Sequence, residues 1–208
     1  MSPSFFVHLR LIFMYRYFIT YKPFGMLSQF SREGDNKALA DLKFNFPKDA
    51  YPVGRLDSDS EGLLLLTNDK SINHKLLDPK FKHNRTYLVQ VEGIFSEEAK
   101  IKLEKGVSIS VDGKQYQTLP ATAQTQHVVS VPERDPPIRF RKNIPTSWVQ
   151  ISLHEGKNRQ VRKMTASVGF PTLRLIRTAI EKIELENLQP GEVKELKKEE
   201  LYKQFRLE

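Results

Sequence analysis

Short apolar runs with an alternating or β-branched pattern recur along the chain and predict strands. Two pairs of these runs are joined by glycine-containing turns and predict hairpins, one around Pro23-Phe24-Gly25 and one around Asp112-Gly113. The run of four leucines at 63–66 is bounded by polar residues, which is typical of a strand buried on both faces. Strands are predicted at 15–22, 26–30, 63–66, 85–91, 107–111, 115–122, 148–153, 173–179 and 183–185.

Helical periods separate these strands. Val161, Met164 and Val168 fall on one face of a helix that Gly169 ends, and Ser96 supplies the side-chain cap of another. Helices are predicted at 69–77, 96–105, 158–168 and 195–205. Because helices interleave with hairpins instead of alternating with single strands, the pattern predicts an α+β fold with a largely antiparallel sheet.

Length and composition are those of an ordinary globular domain. The chain has 208 residues, 39% of them hydrophobic, which is enough for one core or for two small lobes that share a sheet. It contains no cysteine, which excludes disulfides and thiolate chemistry and fits a reducing cytoplasm. No apolar run approaches the roughly 18 residues of a membrane span, so no membrane partner is expected.

The formal charge of +8 is concentrated in one part of the chain. Residues 134–177 contain ten basic and two acidic residues, so the rest of the chain is close to neutral. Such a tract is the electrostatic signature of a protein that binds a polyanion. A basic surface without a ligand is the alternative interpretation. The basic residues of the tract are Arg134, Arg139, Arg141, Lys142, Lys157, Arg159, Arg162, Lys163, Arg174 and Arg177.

The densest cluster of candidate chemistry is the segment 51–68, YPVGRLDSDSEGLLLLTN. Its three acids, Asp57, Asp59 and Glu61, come directly before the predicted buried strand. One of these carboxylates could point into a cleft beside Arg55 or another guanidinium, which would keep it ionised and nucleophilic. A solvated acidic loop is the alternative, and the residues alone leave the choice open.

Other kinds of site find less support in the sequence. The five histidines lack the spacing of metal ligands, so no metal is predicted. Gly156-Lys157 lacks the upstream glycine of a phosphate-binding P-loop, so no nucleotide site is implied. Ser58 and Ser60 have no histidine nearby in the sequence that would favour a serine triad.

Several segments together resemble one enzyme family. Gly54-Arg55-Leu56-Asp57, followed by the run 62–68, resembles the signature of the RNA pseudouridine synthases of the branch that modifies bacterial ribosomal RNA. The resemblance extends from residue 15 to about residue 196, and a match of this length is far more specific than the tetrapeptide. Its other motifs are Lys22-Pro23-Phe24-Gly25, the strand at 85–89, the loop and helix at 154–164 and the strand at 173–177.

The resemblance implies a cofactor-free isomerisation of uridine to pseudouridine, with the target nucleotide flipped into a cleft. It makes Asp57 the catalytic carboxylate, Tyr87 the residue that stacks on the base and assists proton transfer, and Arg162 the partner of Asp57. Arg159 and Arg162 would share a helix face, so that one could face the carboxylate and the other a phosphate. The remaining residues implied in substrate binding are Arg55, Leu175 under the base, Lys157, Asn158, Arg159, Lys163, Arg174 and Arg177.

The resemblance also implies an architecture and a substrate. The fold would have two subdomains around a central RNA-binding cleft, with residues 15–208 as the catalytic domain and residues 1–14 as a disordered or upstream-start extension. The stretch 136–148 is most similar to the short subfamily that lacks an N-terminal RNA-binding domain and acts on one uridine of 23S rRNA. We expect a monomer that needs no protein partner and whose RNA affinity falls steeply with salt.

Two other functions are alternatives to this interpretation, and one residue departs from the family pattern. A non-catalytic rRNA-binding or assembly factor would explain the charge but leave the Asp57 segment unused. A base-excising glycosylase could also use a carboxylate and a flipped base. Glu181 occupies a position where relatives usually have Gly, which leaves the turn there uncertain.

Overall fold

A nine-stranded sheet forms the centre of the protein, in a computed structural model that describes residues 15–138 and 141–205. The expectation for residues 1–14, and the basic residue Arg139, lie outside this range. The strands are β1 (Tyr17–Lys22), β2 (Tyr51–Pro52), β3 (Glu61–Thr67), β4 (Arg85–Glu92), β5 (Ser108–Val111), β6 (Lys114–Gln117), β7 (Thr122–Gln126), β8 (Thr146–Leu153), β9 (Thr172–Ile180), β10 (Ile183–Glu184) and β11 (Val193–Leu196). The α-helices are α1 (Lys70–Leu77), α2 (Glu97–Lys105), α3 (Gln160–Ser167) and α4 (Lys198–Phe205).

The sheet is largely antiparallel, as the sequence predicts. Its strand order is β11-β1-β3-β9-β4-β8-β7, with β2 paired to β3 and β10 to β9, while β5 and β6 form a separate hairpin. Among the described strands, β3 and β9 are the parallel pair. The predicted α+β class is confirmed.

Strand β3 is buried on both faces because its alternate leucines serve different cores. Leu63 and Leu65 pack in a cluster with Ile72 of α1 and Phe205 of α4. Leu64 and Leu66 point to the opposite face and pack against a second apolar cluster that includes Phe18 and several phenylalanines of the 30–46 segment. Successive side chains of a strand point to opposite faces, and both faces of β3 are covered by apolar residues. The run of four leucines therefore contains no polar residue.

The other half of the sheet has a core of its own. There β4, β8 and β9 pack on α2 and α3 through residues such as Val89, Val149, Leu103 and Met164. The two halves join where β3 runs beside β9, which agrees with the predicted pair of subdomains. The loop that precedes β3 therefore opens at the junction between them.

Gly62 permits the close approach of β3 and β9. Its φ is +102°, and a β-carbon there would lie 2.3 Å from the backbone oxygen of Arg177. A side chain would have to push the two strands apart at the point where the subdomains join. Only glycine meets both the steric and the conformational requirement.

Replacing Gly62 by Ala should destabilise the protein by about 3 kcal/mol, because backbone strain and steric overlap add. The matched control is Gly113→Ala, since Gly113 also has a positive φ but no atom within 4 Å of its β-carbon position. Urea unfolding of both variants measures the difference. Equal losses of stability in the two variants would contradict the steric argument.

Three sequence predictions about strands and helices are wrong. Residues 26–30 do not return as a hairpin partner, because β1 pairs with β3 and β11 and Met26 makes a single bridge to Lys37. The predicted strand 115–122 is split, since β6 ends at Gln117 and Thr122 begins β7 beside β8. The last helix begins at Lys198, not at residue 195, because Glu195 and Leu196 pair with β1. In each case a partner distant in sequence determines the structure.

The turn at Glu181 keeps the glycine-like conformation without a glycine. Glu181 has φ +51°, and its carboxylate accepts a hydrogen bond from the backbone N–H of Asn84 at 2.6 Å. The same carboxylate lies 3.3 Å from Nδ1 of His83. These contacts offset the strain of a positive φ and tie the turn to the start of β4.

Candidate active site

Hydrogen bonds to the chain that follows β1 fix the position of the loop that carries Asp57. The hydroxyl of Ser28 donates to the carbonyl of Leu56 at 2.8 Å and accepts from the N–H of Leu56 at 3.0 Å. The N–H of Gly25 donates to the carbonyl of Ser58 at 2.8 Å. The Lys-Pro-Phe-Gly motif and Ser28 thus fix the backbone on both sides of Asp57.

Lys22 is a buried ammonium beneath the same loop. Its Nζ donates to the carbonyls of Pro23 at 2.9 Å, Met26 at 2.7 Å and Ser58 at 3.4 Å. Burial lowers the pKa of Lys22 to about 8, although the nearby Glu61, Asp59 and Asp57 carboxylates oppose this shift. Its hydrogen bonds join the turn after β1 to the Asp57 loop.

In the reaction that the sequence resemblance implies, removing the Ser28 hydroxyl should lower kcat about tenfold, because a small displacement of a catalytic group is costly and the Leu56 amide would lose its buried partner. We expect KM for the implied RNA substrate to stay within about twofold of the wild type, since Ser28 is buried. Steady-state kinetics of Ser28→Ala, with Ser110→Ala on exposed β5 as the control, measure both constants. A Ser28→Ala variant with unchanged kcat would show that the loop does not depend on this hydroxyl.

The three acids of the segment occupy three different environments. Glu61 is buried and its carboxylate accepts hydrogen bonds from Arg174 Nε at 2.8 Å and Nη2 at 2.7 Å. Asp59 is bound by Arg159, whose Nη2 lies 2.8 Å from Oδ2. Asp57 keeps 38% of its side chain exposed, and Arg159 Nη1 lies 3.6 Å from its Oδ2. Asp59 is almost as exposed, at 34% of its side chain, but Arg159 donates two hydrogen bonds to its carboxylate. Asp57 is therefore the exposed carboxylate of the three that has no side-chain hydrogen bond among the described residues.

Arg159, which directly precedes α3, and Arg162 within it organise the loop through Asp59. Arg162 donates from Nη2 to the backbone carbonyl of Asp59 at 2.6 Å and lies 3.4 Å from its carboxylate. Burial opposes ionisation of Asp59, but the hydrogen bonds of Arg159 and the charge of Arg162 outweigh it and hold the pKa of Asp59 below its ordinary value. Burial lowers the pKa of Arg162, against the attraction of Asp59.

Asp57 opens onto a cavity of about 710 Å³, which we call the cleft. Tyr87 of β4 and Leu175 and Arg177 of β9 line it together with Asp57. These side chains converge because β4 and β9 are neighbours and β3 follows the Asp57 loop directly. The volume is in the range of cavities that take a small organic ligand such as a nucleotide.

Arg177 lies in the floor of the cleft. It is 4% exposed and its Nε donates to the carbonyl of Leu63 at 2.8 Å, but its Nη2 has no hydrogen-bond partner among the described residues. Burial lowers the pKa of Arg177, while the neighbouring Tyr87 opposes that shift. A buried donor without a partner is costly, so this nitrogen is available to bind a polar atom of a ligand.

The loop before α3 forms the basic wall of the cleft. Glu155 anchors it, because its carboxylate accepts hydrogen bonds from the Tyr116 hydroxyl at 2.6 Å and the Leu119 N–H at 2.8 Å. The ammonium of Lys157 lies 4.8 Å from the centre of the Tyr116 ring. Arg159 precedes α3 with a φ of +53°, which directs the chain from this loop into the helix.

Residues 16–167 match the model of the family described as RNA pseudouridylate synthase. The chain belongs to this family.

Similar proteins carry consistent names. A Vibrio parahaemolyticus protein named ribosomal large subunit pseudouridine synthase E is 50% identical over 176 residues, which is 84% of this chain and 71% of that protein. A Bacillus subtilis protein named ribosomal large subunit pseudouridine synthase B is 37% identical over 180 residues, or 86% of this chain and 67% of that protein. A structure titled "Crystal structure of pseudouridylate synthase" superposes with a TM-score of 0.72 and 27% identity, covering 92% of this chain and 74% of the other. The predicted pseudouridine synthase fold is confirmed.

Most of the residues predicted for the pseudouridine synthase site line one cleft. Lys163 is not among the residues that line it and lies half-buried on α3. Those that do line it are Arg55, Asp57, Tyr87, Lys157, Asn158, Arg159, Leu175 and Arg177.

The structure differs from the sequence predictions for Arg162 and Arg174. The ion pair expected between Arg162 and Asp57 is replaced by contacts of Arg162 with Asp59, and Arg159 is the arginine within 4 Å of Asp57. Arg174 is not among the residues that line the cleft and is buried against Glu61. Arg177 does line the cleft, but it is buried in its floor.

Residues that the sequence interpretation did not single out also build the site. Ser28 and Glu155 are buried polar side chains that fix the two loops of the cleft. Sequence signals for two such residues did exist, because Lys22 opens the Lys22-Pro23-Phe24-Gly25 motif and Glu155 lies in the motif at 154–164. Among the described residues, no group of three His, Asp or Glu side chains could hold a metal ion. None of the helices in the described part of the chain is a candidate membrane span.

Proposed function

We propose that this enzyme isomerises a specific uridine of 23S ribosomal RNA to pseudouridine, with Asp57 as the catalytic carboxylate. The observation that carries the proposal is the accessible carboxylate of Asp57 in a cleft that it shares with Tyr87, Leu175 and Arg177. The relatives named as ribosomal large subunit pseudouridine synthases support the choice of substrate.

The reaction exchanges one glycosidic bond for another. A uridine in structured RNA must leave its stack to reach Asp57, so the nucleotide flips into the cleft. Asp57 acts as nucleophile or base, the N1–C1′ bond breaks, and the uracil rotates and rejoins C1′ through C5. The C5 proton is lost and N1 gains a proton, so the reaction needs no cofactor or redox partner.

Residues around the cleft have different roles in the proposed reaction. Tyr87 stacks on the uracil and assists removal of the C5 proton, and Leu175 packs under the ring. Arg159 lies beside the Asp57 carboxylate and orients it, and Arg162 positions the loop through Asp59. The free Nη2 of Arg177 is placed to bind a uracil oxygen in the floor of the cleft.

The rim of the cleft binds the RNA backbone in this account. Arg55, Lys157 and Asn158 are exposed there and can reach phosphates. Lys163 would extend the basic surface along α3. We assign residues 15–208 to one catalytic domain that acts as a monomer in the cytoplasm, where ribosomal RNA is modified.

Release of tritium from 23S rRNA that carries 5-tritiated uridine tests the reaction. The isomerase releases the label and leaves the RNA chain and its base content intact. A glycosylase would leave abasic sites that aniline cleaves, and a non-catalytic rRNA binder would release no label. Either of the last two outcomes would overturn the proposed reaction.

A further inference from the structure

A second basic segment faces the basic wall of the cleft. Residues 70–85 contain five basic side chains and one acidic side chain, so this segment is strongly positive although the chain outside 134–177 is close to neutral overall. It comprises α1, a short 3₁₀ turn at Pro79–Phe81 and the start of β4. The basic side chains are Lys70, Lys75, Lys80, Lys82 and Arg85.

An exposed aromatic side chain lies within this positive segment. Phe81 is 44% exposed, and Leu77, four residues before it at the end of α1, is 40% exposed. The rings of Phe81 and His74 are nearly perpendicular, with centroids 6.2 Å apart, and the Lys80 ammonium lies 4.9 Å from the centre of the Phe81 ring. We call His74, Leu77 and Phe81 the α1 rim. An apolar surface surrounded by cations matches a nucleobase flanked by phosphates.

The α1 rim continues directly into the cleft. Leu77 and His83 line the cleft, and the ring of Phe81 is roughly parallel to that of His83, with centroids 6.2 Å apart. Nδ1 of His154, on the opposite wall, lies 2.7 Å from the carbonyl oxygen of Lys82. The segment that carries Phe81 is therefore attached to the loop that carries the basic wall. The α1 rim and the basic wall therefore border the cleft next to each other.

We propose that Phe81 stacks on an unpaired nucleobase beside the target uridine, while Lys80 and Lys82 contact the flanking phosphates. This inference rests on the proposed RNA substrate. When a uridine leaves a stem, its neighbour loses a stacking partner, and an exposed aromatic ring restores that contact. Lys80 is largely exposed and pairs with Asp78 at 3.3 Å, so it can move from the ring to a phosphate at low cost.

Steady-state kinetics on a 23S rRNA transcript test the stacking. Phe81→Ala should raise KM about tenfold, because base–aromatic stacking contributes at about that level, and kcat should stay within about twofold. Phe81→Trp should have the same KM as the wild type, because the indole also stacks. Phe81→Leu keeps apolar volume without a π face and should have a raised KM. Ile94→Ala is the control, since Ile94 is 65% exposed and lies outside the residues that line the cleft.

Fluorescence gives a readout that does not depend on turnover. The natural chain has one tryptophan, Trp148, so emission of Phe81→Trp is compared in the Trp148→Phe background. RNA binding should quench the emission of the introduced indole by stacking. Unchanged emission, or a Phe81→Leu variant with wild-type KM, would overturn the inference. An inactive wild-type enzyme on 23S rRNA would instead count against the proposed substrate, while the fluorescence still reports on the stacking.

Discussion

Replacing Asp57 by Asn should abolish pseudouridine formation and leave RNA affinity almost unchanged. Asparagine has the same shape as aspartate but is neither a nucleophile nor a base, so the loss should be on the order of 10⁴-fold or more in kcat. Removing one negative charge beside a polyanion should, if anything, strengthen binding slightly at low salt. Turnover by tritium release and affinity by filter binding measure the two effects separately.

The control for this variant is Asp112→Asn at the tip of the β5–β6 hairpin. Asp112 is exposed and has φ +50°, a conformation that asparagine tolerates well. It should have wild-type kcat and affinity. An Asp57→Asn enzyme with more than a few per cent of wild-type turnover would remove Asp57 from the chemistry, and a collapse of RNA affinity would show that the change disturbed the cleft.

Replacing Glu61 by Gln should destabilise the protein by about 3–5 kcal/mol, because it leaves the guanidinium of Arg174 buried without a compensating charge. Glu61 and Arg174 expose only 2% and 5% of their side chains, and they form two hydrogen bonds of 2.7–2.8 Å. Burial opposes the charge of Arg174, but the bond to Glu61 outweighs it and raises the pKa of Arg174. Urea unfolding of the single variant measures the loss.

A double variant separates the cost of an unpaired charge from the value of the pair. Glu61→Leu with Arg174→Met removes both charges and keeps apolar volume, so it should recover most of the stability lost in Glu61→Gln. The Tyr21 hydroxyl, 3.5 Å from both partners, would lose two weak contacts in the double variant. A double variant no more stable than Glu61→Gln would show that packing, not charge compensation, holds this site together.

The elements predicted well from sequence are those that local patterns determine. The helical period around Met164 and the side-chain cap at Ser96 place α3 and α2 within one or two residues of their observed bounds. The missed strands β7 and β11 depend on partners far along the chain, and no local pattern specifies those partners. The turn at Pro23-Phe24-Gly25 is predicted correctly, but the chain beyond it supports the Asp57 loop instead of pairing with β1.

In the site, likewise, the types of residue could be predicted from the sequence, but the position of each side chain could not. Charge counting finds the basic tract, but it cannot separate Arg174, buried on Glu61, from exposed Lys157 on the rim. Sequence spacing also cannot decide which arginine approaches Asp57. The left-handed backbone of Arg159 turns its side chain toward both acids of the loop, whereas Arg162 is held by the carbonyl of Asp59.

Mapping of pseudouridine in ribosomal RNA tests the central claim most directly. Cells that lack this enzyme are complemented with the wild type, with Asp57→Asn or with the empty vector, and every pseudouridine of 16S and 23S rRNA is mapped after carbodiimide treatment. We predict that one 23S position is modified with the wild type and unmodified with Asp57→Asn and with the vector. Modification of that position by Asp57→Asn, or identical maps for the wild type and the vector, would contradict it.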